Sequence, residues 1–331
     1  MGSHLNIENA IKKVPLFFHL TQDEITPVAS FFKPIQFKKG EVITRQGKEG
    51  LGLYIILKGK VSVNVRLPGD VYEKVAELKK NDIFGEAALL DNSPASASIL
   101  ALEATSCCVL DGEHFKVFRI GYPRIAYKVA LAISKIVCER LRQINSKVGG
   151  GLSDILPTHM QELKKTKKLL GKPVPKKYFS FIHTLPFFKE LCEEDFFNLL
   201  PYLEYYEYPK NHIIFQQEEL PKGGYFVLQG AVQVVLKQKN HYSKLKTLGP
   251  GSLFGFLSLI DKELRSATAY ARESTVCLMI PTEKIEQLYK EHPILYYRCF
   301  VIVISHFVTL QHSADKLLLR LRVESHESQN S

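Results

Sequence analysis

Short apolar runs separated by turn residues set the pattern of this chain. Leu16, Leu20 and Ile25 recur at helical spacing and predict a short amphipathic helix near the N-terminus. Runs rich in Val, Ile, Tyr and Phe follow, such as YIILKG then KVSVNV, and later YFVLQG then AVQVVL. Gly, Pro, Asn and Asp punctuate them, which predicts strands joined by turns. Many short strands at regular spacing point to a barrel or sandwich. The period changes after Pro123. Ile125, Val129, Ile133, Ile136, Val137, Leu141 and Ile144 make the apolar stripe of a long helix over about 123–146, and proline suits its first turn. Pro293 opens a second, more uniformly apolar helix.

The pattern occurs twice. VPLFFHLTQDEI (14–25) matches LPFFKELCEEDF (185–196), and FKKGEVITRQG (37–47) matches YPKNHIIFQQE (208–218). LYIILKGKVSV (53–63) matches GYFVLQGAVQV (224–234), and DIFGEAALLDNSPASAS (82–98) matches SLFGFLSLIDKELRSAT (252–268). Gly59 and Gly230 are 171 positions apart, Gly85 and Gly255 are 170 apart, and a nearly constant offset marks a duplication. The expected organisation is a first domain over 13–148, a basic linker over 149–183, a second domain over 184–321 and a polar tail over 322–331. The linker is rich in Gly, Pro and Lys.

FGEAALLDNSPASAS and, more faintly, FGFLSLIDKELRSAT resemble the phosphate cassette of cyclic-nucleotide-binding domains. The family includes catabolite-activator-type regulators and protein kinase A regulatory subunits. Its cassette reads Phe-Gly-Glu-x-Ala-Leu, followed by Pro-Arg-Ala. The resemblance implies an α+β, mainly β, fold: two tandem β-rolls of jelly-roll-like type, each flanked by helices. It implies a cyclic nucleotide as ligand and no cofactor. In the family a short helix starts at the glycine, the glutamate accepts the ribose 2′-hydroxyl and the arginine pairs with the phosphate. A Thr or Ser three residues later can bond the base.

Carried over residue by residue, the candidate ligand contacts are Gly85, Glu86, Ala87, Ser96 and Ser98 in the first copy. In the second they are Phe254, Gly255, Phe256, Leu257, Arg265, Ser266 and Thr268. Neither cassette is complete. The first keeps Glu86 but has Ala95 in place of the arginine; the second keeps Arg265 but has Phe256 in place of the glutamate. Losing the counter-charge of a phosphate in a partly dry pocket costs more than losing a ribose contact, so the second copy is favoured. Other readings stay open. Glu86 can cap a helix, Arg265 can be a solvated surface arginine, and Thr268 can be an ordinary strand residue.

Composition narrows the function classes. The 331 residues carry a net charge of +10, which suits anionic partners without specifying one. Six cysteines, without a Cys-x-x-Cys pair, fit reduced core thiols of a cytoplasmic protein. CFVIVISHFVTL is too short to span a bilayer, which takes about 20 apolar residues, so no membrane span is expected. No Walker, Rossmann, Gly-x-Ser-x-Gly or His-Glu-x-x-His motif occurs, and no enzyme is expected. A helix-turn-helix has no room after either roll, so nucleic acid is not an expected partner. No Arg-Arg-x-Ser-like segment precedes the first copy, which speaks against direct kinase inhibition. The leading reading is a regulatory protein that binds cAMP or cGMP and signals to an unidentified protein effector, with helix 123–146 as a possible homodimer contact. The alternative is an interaction scaffold whose pockets have decayed.

Overall fold

The computed structural model describes residues 2–66, 72–86, 94–148, 154–155, 171–238 and 241–307. The chain groups into two compact units, Met1–Val137 with Ile304–Ser331, and Cys138–Val303.

The first unit opens with α1 (Gly2–Ile11) and α2 (Gln22–Ser30). Eight strands follow: β1 (Lys33–Phe37), β2 (Val42–Thr44), β3 (Gly52–Lys58), β4 (Lys60–Arg66), β5 (Tyr72–Lys79), β6 (Ile83–Phe84), β7 (Ser98–Ala101) and β8 (Thr105–Asp111). They form two antiparallel four-stranded sheets, β1-β8-β3-β6 and β2-β7-β4-β5. Tyr54, Ile56, Val61, Phe84, Ile99, Cys107 and Val109 fill the space between the sheets. Alternate residues of β3 and β8, among them Leu53, Ile55, Cys108 and Leu110, point the other way and are buried as well, whereas β5 is largely exposed. α3 (Gly112–Gly121) and α4 (Pro123–Val148), whose residues from Cys138 on belong to the second unit, follow the roll. Of the predicted stripe, Ile125, Val129, Ile133, Val137 and Leu141 of α4 are buried, Ile136 is half-buried, and the side chain of Ile144 lies outside the described residues.

The second unit repeats the plan. Two-residue strands β9 (Asp154–Ile155) and β10 (Lys172–Pro173) pair onto its sheet edges. Then come α5 (Phe179–Thr184), α6 (Pro186–Lys189) and α7 (Glu193–Leu199). The roll is β11 (Glu204–Tyr208), β12 (Ile213–Phe215), β13 (Gly223–Gln229), β14 (Val232–Gln238), β15 (His241–Leu248), β16 (Leu253–Phe254), β17 (Thr268–Ala271) and β18 (Thr275–Pro281). The sheet orders β10-β11-β18-β13-β16 and β12-β17-β14-β15-β9 reproduce those of the first roll, each with one added edge strand. α8 (Leu257–Ile260), α9 (Thr282–Glu291) and α10 (293–307) complete it. The expected α+β fold with two tandem, mainly β rolls flanked by helices is what is observed. Among the described residues no helix is long and apolar enough to cross a membrane. Of the linker lysines, Lys172, Lys176 and Lys177 are described, and Lys164, Lys165, Lys167 and Lys168 lie outside the described residues.

Candidate anion site in the second roll

The site is built where β16 ends. Gly255 turns the chain with φ +78°, a left-handed conformation that only glycine adopts without strain. A Cβ there would stand 2.9 Å from a terminal nitrogen of Arg265. After α8 the chain comes back along the end of β12. The Arg265 amide donates to the Glu219 carbonyl (2.9 Å), and the Glu218 amide donates to the Arg265 carbonyl (2.8 Å). These two bonds turn the Arg265 side chain inward.

Its guanidinium is therefore no surface cation. Arg265 is 2% exposed and lies over the Phe215 ring, 4.1 Å from the centroid, with the Tyr225 ring at 5.9 Å. Nη2 donates to the Gly223 carbonyl at 2.7 Å, Nη1 donates to the Gly255 carbonyl, and Nε has no acceptor among the described residues. No described carboxylate pairs with it. Burial pushes the Arg265 pKa down, partly offset by the nearby Tyr225 and Glu219. Burial also pushes the Tyr225 hydroxyl up to about 12, so it stands beside the cation as a neutral phenol. Among the described residues this buried guanidinium is held by two carbonyls and two ring faces.

Phe256, placed by sequence among the ligand contacts, points elsewhere. It is buried on the helix-covered side of the sheet, 5.3 Å from the Phe226 ring, and rests on Gly224, where a Cβ would come within 2.4 Å of its ring. With Leu259, Ile260, Leu288 and Val303 it lines an apolar cavity of about 90 Å³. The alternation of β13 explains this: Tyr225 faces the roll interior and Phe226 the helices. Phe254 belongs to the interior and stacks on Tyr225 at 5.0 Å. Leu257 starts α8 and Ser266 follows Arg265, both half-buried.

Thr268 is buried, and its hydroxyl accepts the Gln217 amide at 3.0 Å. Ser98 repeats the bond in the first roll, accepting the Gln46 amide at 3.0 Å. Both hydroxyls thus tie the end of one strand to the next. Ala95 occupies the backbone place of Arg265: its amide donates to Lys48 (2.8 Å) and its carbonyl accepts from Gly47 (2.9 Å). The first roll therefore has the turn at Gly85 without a guanidinium. Glu86 is half-buried, Ser96 is exposed and Ala87 lies outside the described residues.

Sequence reasoning missed Gly223, Phe215 and Tyr225. Gly223 is the partner of Gly52 at the repeat offset, which was a usable signal, whereas the ring stack needed the fold, because Phe215 stands opposite Thr44 in the repeat.

A family model, the cyclic nucleotide-binding domain, matches residues 34–119 and 206–292, just over half of the chain. The cAMP-dependent protein kinase regulatory subunit of Dictyostelium discoideum is 39% identical over 111 residues, 33% of this chain and 34% of that protein. Human cGMP-dependent protein kinase 2 is 35% identical over 109 residues, 32% of this chain and 14% of the kinase. The chain thus spans about a third of the first relative and a smaller share of the second. Among solved structures, the Toxoplasma gondii PKA regulatory domain with cAMP is 18% identical, with a TM-score of 0.34 over 89% of this chain and 94% of that chain. The Thermus thermophilus catabolite activator protein is 30% identical, with a TM-score of 0.37 over 40% of this chain and 61% of that chain.

Proposed function

Because this chain belongs to the cyclic nucleotide-binding domain family, we propose that it is a regulatory protein, not an enzyme, whose second roll takes cAMP or cGMP with Arg265 as the partner of the cyclic phosphate. The observation that carries this reading is the buried Arg265, without a carboxylate and with Nε unpaired. Burying an unpaired charge costs several kcal/mol, and a phosphate supplies the charge-assisted bonds that offset it. The first roll keeps the turn but not the cation, so one nucleotide per chain is expected. Binding then favours one arrangement of the helices around the second roll, which is how occupancy reaches a protein effector.

The scaffold reading keeps one specific support: both terminal nitrogens of Arg265 are already satisfied by carbonyls. Calorimetric titration with cAMP and cGMP separates the two. Micromolar binding that falls roughly ten- to a hundredfold in Arg265→Gln, the loss expected for one charged hydrogen-bonding group, supports the pocket. Absence of heat and of thermal shift with both nucleotides removes it.

A further inference from the structure

The loop that delivers Arg265 is held from outside the roll. α8 ends at Ile260, Asp261 follows, Lys262 turns with φ +60°, and Leu264 precedes Arg265. Within the second unit, Arg142 on the C-terminal part of α4 reaches this loop at two points. Its Nε donates to Asp261 Oδ2 at 2.6 Å and its Nη2 to Asp261 Oδ1 at 3.0 Å. The same Nη2 donates to the Leu264 carbonyl at 3.2 Å, which also accepts the Ser258 hydroxyl at 3.2 Å. Asp261 Oδ1 accepts the Glu263 amide at 3.1 Å as well, so the carboxylate closes the loop on itself. The side chains are 28% and 14% exposed for Arg142 and Asp261, shielded enough for the fork to hold. A planar guanidinium fixes two acceptors in one geometry, which a lysine ammonium does not.

Arg265 is thus held on both sides. Glu218 and Glu219 pair with its backbone from the roll, and Arg142 fixes the peptide just before it. We propose that Arg142 is a positioning residue of the second pocket: by clamping Asp261 and the Leu264 carbonyl it keeps Arg265 aimed at the anion, so pocket affinity depends on the placement of α4 residues against this loop. The inference rests on the reading of the second pocket as an anion site.

The test uses the full chain and two readouts, cAMP affinity by calorimetry and the ligand-free Nε–H resonance of Arg265 by ¹⁵N NMR. Arg142→Met is expected to weaken cAMP about tenfold and to shift or broaden the Arg265 resonance, with the thermal midpoint moving by less than about 4 °C. Arg142→Lys is expected to restore only part of the affinity, and the exchanged pair Arg142→Asp with Asp261→Arg more than Arg142→Asp alone. Wild-type affinity together with an unmoved resonance in Arg142→Met overturns the clamp. If Arg142→Met does not fold, Asp261→Asn, which keeps the side-chain shape, is read the same way. If the unaltered protein binds no nucleotide, the anion reading falls, and the resonance alone decides whether Arg142 positions Arg265.

Discussion

Arg265 keeps a positive charge where water barely reaches, at 2% exposure, on ring faces and two peptide carbonyls. On the proposed reading such a residue serves the ligand at the expense of the empty protein. Arg265→Met, which preserves most of the volume and removes the charge, is expected to leave the ligand-free protein as stable as before, or up to about 2 kcal/mol more stable, while weakening cyclic-nucleotide binding at least as much as Arg265→Gln. Urea unfolding of the variant beside a cAMP titration checks both halves. A loss of several kcal/mol in the empty protein would instead make Arg265 a structural pin for the carbonyls of Gly223 and Gly255. Arg265 was legible in the sequence because the cassette fixes its spacing from Gly255. The direction of Phe256 was not, because it is set by which face of β13 carries Tyr225 and which carries Phe226.

The helices that flank the rolls are fastened by a device the duplication preserved. Glu24 of α2 accepts Lys128 of α4 at 2.6 and 2.7 Å, and also accepts the Thr21 amide at 2.9 Å. In the second unit Arg298 of α10 donates to Asp195 of α7 at 2.5 Å. Glu24 and Asp195 are 171 positions apart, Lys128 and Arg298 are 170 apart, so the pair was readable from the repeat offset once acids and bases were compared as well as glycines. Burial acts to raise the Glu24 pKa, but the bonds from Lys128 and the Thr21 amide outweigh it, and the folded value lies below the ordinary one. A carboxyl depressed by folding contributes stability that is whole above its unfolded value of 4.5 and is lost as the pH falls through the lower folded value. Glu24→Gln is therefore expected to cost about 1 kcal/mol at pH 7 and less at pH 3. Chemical unfolding at the two pH values, followed on the first unit, checks the sign; an equal loss at both would mean that Glu24 acts through shape and not charge. Strand positions and the long helix after Pro123 were largely legible from apolar periodicity and turn residues, but the single helix expected on Leu16, Leu20 and Ile25 is a 3-10 turn (Pro15–Phe17) followed by α2, with Leu20 between them. The edge strands β9 and β10 were not, since nothing in Asp154–Ile155 or Lys172–Pro173 announces pairing.

Where both are described, the two rolls share sheet order and turns and differ in side chains at the wall that carries Arg265. Gly85 and Gly255 turn with φ +77° and +78°, and Ala95 and Arg265 make the same backbone bonds. Even strained backbone is kept: Glu218 holds φ +68° where its repeat partner Gly47 holds +76°. If the second roll is the nucleotide site, the first differs from it by few described wall side chains. Two are identifiable: the guanidinium absent at Ala95, and the ring under it, since Thr44 stands where Phe215 lies in the second roll. Tyr54, stacked on Phe84 at 4.7 Å, still matches Tyr225 on Phe254. Restoring the cation alone leaves it without the lower ring, a contact worth about 1–2 kcal/mol when desolvated. The double variant Thr44→Phe with Ala95→Arg is accordingly expected to raise cyclic-nucleotide stoichiometry from one to two per chain. Ala95→Arg alone is expected to give a second site about tenfold weaker than in the double variant. Calorimetry on both variants in an Arg265→Gln background isolates the rebuilt pocket. If no binding appears there, the first roll differs from a nucleotide site by more than its wall, and its retained turn serves the packing of Gly85 against the Gly52 carbonyl.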